Sequence, residues 1–239
     1  MTAFDFTEGK IILINKPKNW TSFDVIKKMR HVIRETYRLR DLKIGHAGTL
    51  DPLATGLLII CIGKETKNIF KFQDMEKEYT GTFMLGVTSP SYDMETAIEN
   101  RYPIQNITKQ ILYDTAKKFI GPQLQIPPSF SAKKIKGIRA YLNARKGIQQ
   151  ELKPVSVFID EFKINDVNLP LVDFKVVCSK GTYIRSLAND FGRELGCGSL
   201  LSSLCRTRIG KYKIEDAEDI LDWEKKMNCY AVPSSTNQK

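Results

Sequence analysis

The 239 residues suffice for one large domain or two small ones, and a 42% hydrophobic share can fill a core without disulfide staples. With 37 Lys plus Arg against 27 Asp plus Glu, the formal charge is +10, which favours a polyanionic partner. Five scattered cysteines (Cys61, Cys178, Cys197, Cys205, Cys229) without a Cys-x-x-Cys pair, and only 2 histidines, disfavour a disulfide scaffold, a zinc module and metal catalysis, and read as reduced cytosolic thiols.

In chain order, the first nine residues carry Asp5 and Glu8 and lack basic and apolar stretches, so no signal peptide is expected. Lys10 to Asn15, closed by Lys16-Pro17, predicts a strand and a turn. Thr21-Ser22-Phe23-Asp24 has the spacing of a helix start. Phe23, Ile26, Met29 and Ile33 follow at helical intervals, and Lys27, Lys28, Arg30 and Arg34 make the exposed face basic. Gly45 to Gly56 is a Gly/Pro/Thr-rich loop feeding a buried strand over Leu57 to Ile62, the longest apolar run and far too short to cross a bilayer. Lys64 to Phe72 is weakly helical, Tyr79 to Leu85 is a strand, and Gly86 to Asn106 reads as a long connection.

Ile107 to Ile120, stopped by Gly121-Pro122, and Ile138 to Lys146, stopped by Gly147, predict amphipathic helices. Val155 to Ile164 and Val172 to Val177 alternate like strands, Ser186 to Leu195 is a helix ending at Gly196, and Asp216 to Trp223 is a last short helix. Strands and helices mix without strict βαβ alternation. The expected fold is α+β, with a mixed, mainly antiparallel sheet flanked by helices, in one domain over residues 1–230 followed by a polar, disordered tail at 231–239.

Asp51, before Pro52 in a glycine-rich loop, has two readings. It caps a turn, or it is a carboxylate offered to a ligand that the glycines let approach closely. Gly63-Lys64 lacks the spacing and following hydroxyl of a phosphate-binding P-loop, and Gly196-Cys197-Gly198 lacks the setting of a dinucleotide site and is a turn.

Longer strings decide between the readings of Asp51. Gly45-His46-Ala47-Gly48-Thr49-Leu50-Asp51-Pro52-Leu53-Ala54-Thr55-Gly56 is similar to the GHxGTLDPxAxG motif of the tRNA pseudouridine synthase B family. Lys16-Pro17 with Trp20-Thr21-Ser22 resembles that family's opening segment, with Asn19 in place of a glycine, and Lys77-Glu78-Tyr79 resembles its K-x-Y segment. Pro127-Pro128-Ser129-Phe130-Ser131-Ala132 with Lys134, and Tyr141 to Gly147, look like two further blocks. Cys178-Ser179-Lys180-Gly181-Thr182-Tyr183-Ile184-Arg185-Ser186-Leu187 matches a CSKGTYIRSL block almost letter for letter. The matches run in family order from about Lys10 to Gly210.

The resemblance implies the pseudouridine synthase catalytic fold and isomerisation of a uridine in the T-stem-loop of tRNA, at position 55, by a cytoplasmic enzyme using neither cofactor nor metal. A monomer is expected. Breaking the base N1 to sugar bond, rotating the base, joining C5 to the sugar and removing the C5 proton involves no redox change. A carboxylate can attack the sugar C1′ or uracil C6, or assist a proton shift at C2′. By resemblance Asp51 is the nucleophile, Arg185 the cation that keeps it charged and oriented, and Tyr79 an active-site phenol that stacks on the extruded uracil. Tyr183 and Leu204 map to walls of the uracil pocket, and His46 to an RNA contact rather than an acid or base.

Lys133, Lys134, Arg145 and Arg206 are expected to meet the RNA backbone, within a wider basic set that includes Lys27, Lys28, Lys136, Arg139, Lys146 and Arg208. The rival class is a non-catalytic RNA-binding protein or tRNA-folding chaperone. An intact Asp51, Tyr79 and Arg185 argues against it. Three departures stand out: Ser89-Pro90-Ser91 where the family has Thr-Asp-Thr, Cys205 where it has an arginine, and Lys153 where it has an arginine before Pro154. The chain is also read as a short form without a C-terminal domain of the PUA type, from which weaker tRNA affinity is expected.

Overall fold

The computed structural model describes Phe6 and residues 8–131, 134–135, 138–144, 148 and 152–230. The strands are β1 Lys10–Lys16, β2 Ile44–His46, β3 Thr55–Ile62, β4 Lys77–Leu85, β5 Val87–Thr88, β6 Asn100–Arg101, β7 Gly121–Gln125, β8 Lys134–Ile135, β9 Ile138–Arg139, β10 Val155–Asn168, β11 Leu171–Cys178, β12 Ser199–Ile209, β13 Tyr212–Lys213 and β14 Glu218–Asp219. The helices are α1 Ser22–Tyr37, α2 Ile69–Asp74, α3 Lys109–Lys118, α4 Ala140–Ala144, α5 Ile184–Glu194 and α6 Ile220–Cys229. The chain divides into two compact units: Met1–Met75 with Arg206–Lys239, and Glu76–Cys205.

In the first unit the strands run in the order β14-β1-β3, with β2 also on β3. β1 pairs antiparallel with β3 from Lys10↔Ile62 to Lys16↔Gly56, whereas β14 joins β1 parallel. The unbroken apolar run of β3 follows from burial on both faces. Leu58, Ile60 and Ile62 pack with Val25, Met29 and Ile33 of α1 and Trp223 and Met227 of α6, while Leu57, Ile59 and Cys61 pack with Ala47, Phe72 and Ile209. α1 starts where the sequence places it, at a capping box in which the Thr21 hydroxyl accepts from the Asp24 amide and the Asp24 carboxylate accepts from the Thr21 amide.

Gly56 sits at φ +104°, and a Cβ there would lie 2.4 Å from the Arg206 carbonyl oxygen. Gly56→Ala is therefore expected to cost at least about 2 kcal/mol, read as a lowered midpoint in chemical denaturation. An unchanged midpoint would mean that the backbone relaxes freely at this point.

In the second unit the order is β4-β11-β10-β7, antiparallel throughout. Its core holds a group of phenylalanines: Phe83 stacks on Phe174 at 4.1 Å, and Phe162 and Phe191 meet edge-on at 5.5 Å. β12 contributes residues to both units.

Within the two units the strand pairs described above are antiparallel apart from β1 with β14, in agreement with the α+β reading. Three local expectations are corrected. The helix expected over Ile138 to Lys146 is helical only over Ala140–Ala144, because Ile138 and Arg139 pair with Ile135 and Lys134 in a small hairpin; residues 145–147 lie outside the described residues. The helix expected over Asp216 to Trp223 begins at Ile220 and runs to Cys229, because Glu218 and Asp219 are drawn into pairing with Ile14 and Asn15. β12 was not anticipated: its Ser-rich sequence shows no clean alternation. The 231–239 tail lies outside the described residues.

Candidate active site

The Asp51 loop belongs to the first unit, between β2 and β3. These two strands pair antiparallel through Gly45↔Cys61 and His46↔Ile60, and Ala47 N donates to Ile59 O at 2.9 Å, so the loop leaves and re-enters adjacent backbones. Side chains then pin its course. Ser22, at the start of α1, accepts from Leu50 N at 2.8 Å and donates to Leu50 O at 3.2 Å. Asn19 N donates to Pro52 O at 2.8 Å, and Ala54 N to Asp51 O at 3.1 Å. The backbone of the half-buried Asp51 and its neighbours is thus held on both sides.

Beneath the loop lies a cation to which sequence reasoning gave no role. Lys16 is 0% exposed, and its ammonium donates to Trp20 O at 2.6 Å, Pro17 O at 2.9 Å and Pro52 O at 3.4 Å. Burial lowers its pKa to about 8, against the attraction of Asp51, with the Arg206 charge lowering it further. Three carbonyls match the three protons of an ammonium, so losing one proton loses one of these hydrogen bonds together with the positive charge.

A pH dependence follows, with opposite signs for activity and stability. Activity should fall as pH rises through about 8, and Lys16→Arg, which stays charged, should remove that limb. Stability from this group should instead rise between about pH 8 and the ordinary lysine value of 10.5, because the unfolded chain still holds the proton that the native amine has released. Single-turnover rates and denaturation midpoints across that window check both signs.

Arg206 requires a correction. Expected among the phosphate contacts, it is 1% exposed, and its guanidinium donates from Nε to Leu57 O at 2.8 Å and from Nη2 to Gly48 O at 3.1 Å. It is a buried clamp between β3 and the Asp51 loop. His46 has a buried Nδ1 with no hydrogen-bond partner, and its pKa is lowered by burial and by the Arg206 charge, against a Gly48 backbone group acting the other way. A neutral imidazole suits contact better than proton transfer.

The remaining predicted residues belong to the second unit. Tyr79 is buried on β4, paired with Val176 of β11. Arg185, 4% exposed in the first turn of α5, stands 3.6 Å from the Asp93 carboxylate and donates to Ser91 O at 3.2 Å and Phe130 O at 2.9 Å. Ser89-Pro90-Ser91, the departure from the family's Thr-Asp-Thr, has a structural role. Ser89 and Ser91 hydroxyls both donate to Asp93 O, Asp93 Oδ1 accepts from Glu95 N, and this buried turn presents Ser91 O and the Asp93 carboxylate to Arg185. Asp93 carried no sequence signal of its own, because its partner is brought to it only by folding.

Tyr183, half-buried, precedes α5 and is clamped through its backbone by the buried Gln125 side chain, at 2.9 and 3.1 Å. Leu204 is half-buried on β12. Burial pushes the Cys61 thiol up to about 11 and that of Cys178 up to about 12, so neither competes as a nucleophile. Lys133, Lys136, Arg145 and Lys146 lie outside the described residues, and Lys134 and Arg139 are placed only through their strands.

Residues 34–184 match the TruB family pseudouridylate synthase (N terminal domain). The tRNA pseudouridine synthase B of Flavobacterium johnsoniae is 48% identical over 228 residues, covering 95% of this chain and 100% of that protein. Its counterpart in Bacteroides fragilis is 50% identical over 215 residues, covering 90% of this chain and 92% of that one. The fold resembles one in the crystal structure of a Cbf5-Nop10-Gar1 complex, with TM-score 0.71 and 23% identity over 95% of this chain; this chain spans 60% of that one, and the likeness is one of fold alone. No described helix is long and apolar enough to cross a membrane. The chain belongs to the TruB family of pseudouridylate synthases.

Proposed function

We propose that this protein isomerises uridine to pseudouridine in the T-loop of tRNA, at position 55, with Asp51 as the nucleophile, acting as a cytoplasmic monomer through residues 1–230. The observation that carries the reading is the Asp51 loop: a carboxylate on a backbone held by Ser22, Asn19 and Lys16, with the buried Lys16 ammonium attracting it. A bare turn-forming aspartate needs no buried lysine beside it, since burying an ammonium is costly unless something uses its charge. Relatives about half identical over nearly the whole chain are named tRNA pseudouridine synthase B, which supports the substrate class.

By the matched blocks in which they lie, Tyr79, Tyr183 and Leu204 are assigned to handling the extruded uridine, Arg185 to keeping Asp51 charged and oriented, and His46 to RNA contact. Lys133, Lys134 and Arg145 keep their assignment to the RNA backbone. The burial of Tyr79 and the fixed guanidinium of Arg185 suit a site prepared before RNA arrives. Incubating the protein with an unmodified tRNA transcript and digesting it to nucleosides tests the proposal. Pseudouridine approaching one residue per tRNA, mapped to the T-loop, is expected. None, with correctly folded RNA, would overturn it.

A further inference from the structure

We infer that the solvent face of α1 is a phosphate-binding track for the RNA that flanks the reacting uridine. At 3.6 residues per turn, Phe23, Lys27, Arg30, His31 and Arg34 fall within about 100° of one another around the helix, and the residues of that arc include neither Asp nor Glu. All five are exposed, while Val25, Ile26, Met29, Val32 and Ile33 line the opposite, buried side. Ordinary solvated faces intersperse both signs of charge; this one carries three permanent cations.

The position of the track argues for RNA rather than mere solubility. Ser22, one residue before Phe23, holds Leu50 next to Asp51 through its hydroxyl, so the end of the helix at which the track starts adjoins the nucleophile loop. From Phe23 to Arg34 it runs about 16 Å along the helix axis. Phe23 is 53% exposed, with the Lys27 ammonium 5.0 Å from its ring centroid, which puts a flat apolar surface and a cation together at the end nearest the loop.

The acids at the margins compete weakly. Lys27 meets Asp24 at 3.8 Å and Arg34 meets Glu35 at 2.9 Å, both with well-exposed partners, and such pairs give way readily to phosphate. Lys28, off the arc, is held by Glu224 at 2.6 Å and is not part of the track.

This inference rests on the proposed tRNA substrate, and two RNA sources share its chemistry: phosphates of the T-arm, or phosphates elsewhere in a folded tRNA. The test measures Kd for an unmodified full-length tRNA transcript and for a T-arm minihelix over a salt series. It compares the wild type with K27E/R30E/R34E and the neutral K27Q/R30Q/R34Q, the latter guarding against misfolding of the former. Affinity should fall about tenfold or more and the salt slope should flatten by roughly two to three, near one per lost phosphate contact. Loss on both RNAs supports the track as a contact to the T-arm; loss on the full-length transcript alone overturns it, because the phosphates then lie elsewhere in tRNA. Unchanged affinity, or weaker binding with an unchanged slope, overturns the inference. Wild-type isomerisation of the same RNAs reports separately on the proposed function, so the two can fail independently.

Discussion

Asp51→Asn is expected to reduce isomerisation by roughly four orders of magnitude or more while leaving tRNA affinity within a few-fold. The loop contacts seen here run through the backbone of Leu50, Asp51 and Pro52, so an amide at position 51 should leave its course intact. What is lost is the nucleophile and one negative charge. Lys16 should register that charge directly: Asp51 is the larger of the two attractions raising its pKa, so the variant's Lys16 should release its proton at lower pH than the wild type's. Single-turnover assays with saturating enzyme separate chemistry from binding. Activity within tenfold of wild type would remove Asp51 from the nucleophile's role.

Arg206→Met should destabilise the protein by about 3 kcal/mol or more, since two charge-assisted hydrogen bonds are lost and Leu57 O and Gly48 O lose that donor in a buried place. The consequences should spread. Removing the Arg206 charge should raise the pKa values of both His46 and Lys16, which it now lowers. If Arg206 were a surface phosphate contact, the variant would show the reverse pattern, with stability kept and the salt dependence of tRNA binding reduced by about one. Denaturant titration and a salt series on the same variant distinguish the clamp from the contact.

Much of the framework was legible in the sequence because local chemistry sufficed for it. The Thr21 to Asp24 box fixed the start of α1, and the apolar run of β3 announced a strand covered on both faces. β12 was missed because its Ser-rich residues derive their burial from neighbours rather than from a pattern of their own. The same boundary runs through the site. Asp51 was found through the string around it, whereas Lys16 and Asp93 acquire meaning only from partners that folding supplies: three carbonyls for one, the Arg185 guanidinium for the other. Arg206 was misplaced for a related reason. A formal charge of +10 invites reading each arginine as surface, but composition says nothing of which cation is folded inward to hold a loop.

Carboxylate-dependent isomerisation of uridine would show in tritium release from a T-arm minihelix labelled at uridine C5. Release by the wild type approaching one equivalent per RNA, and none above background by Asp51→Asn at equal occupancy, is expected. Absence of release by wild-type protein bound to the folded minihelix, or equal release by both proteins, would contradict it.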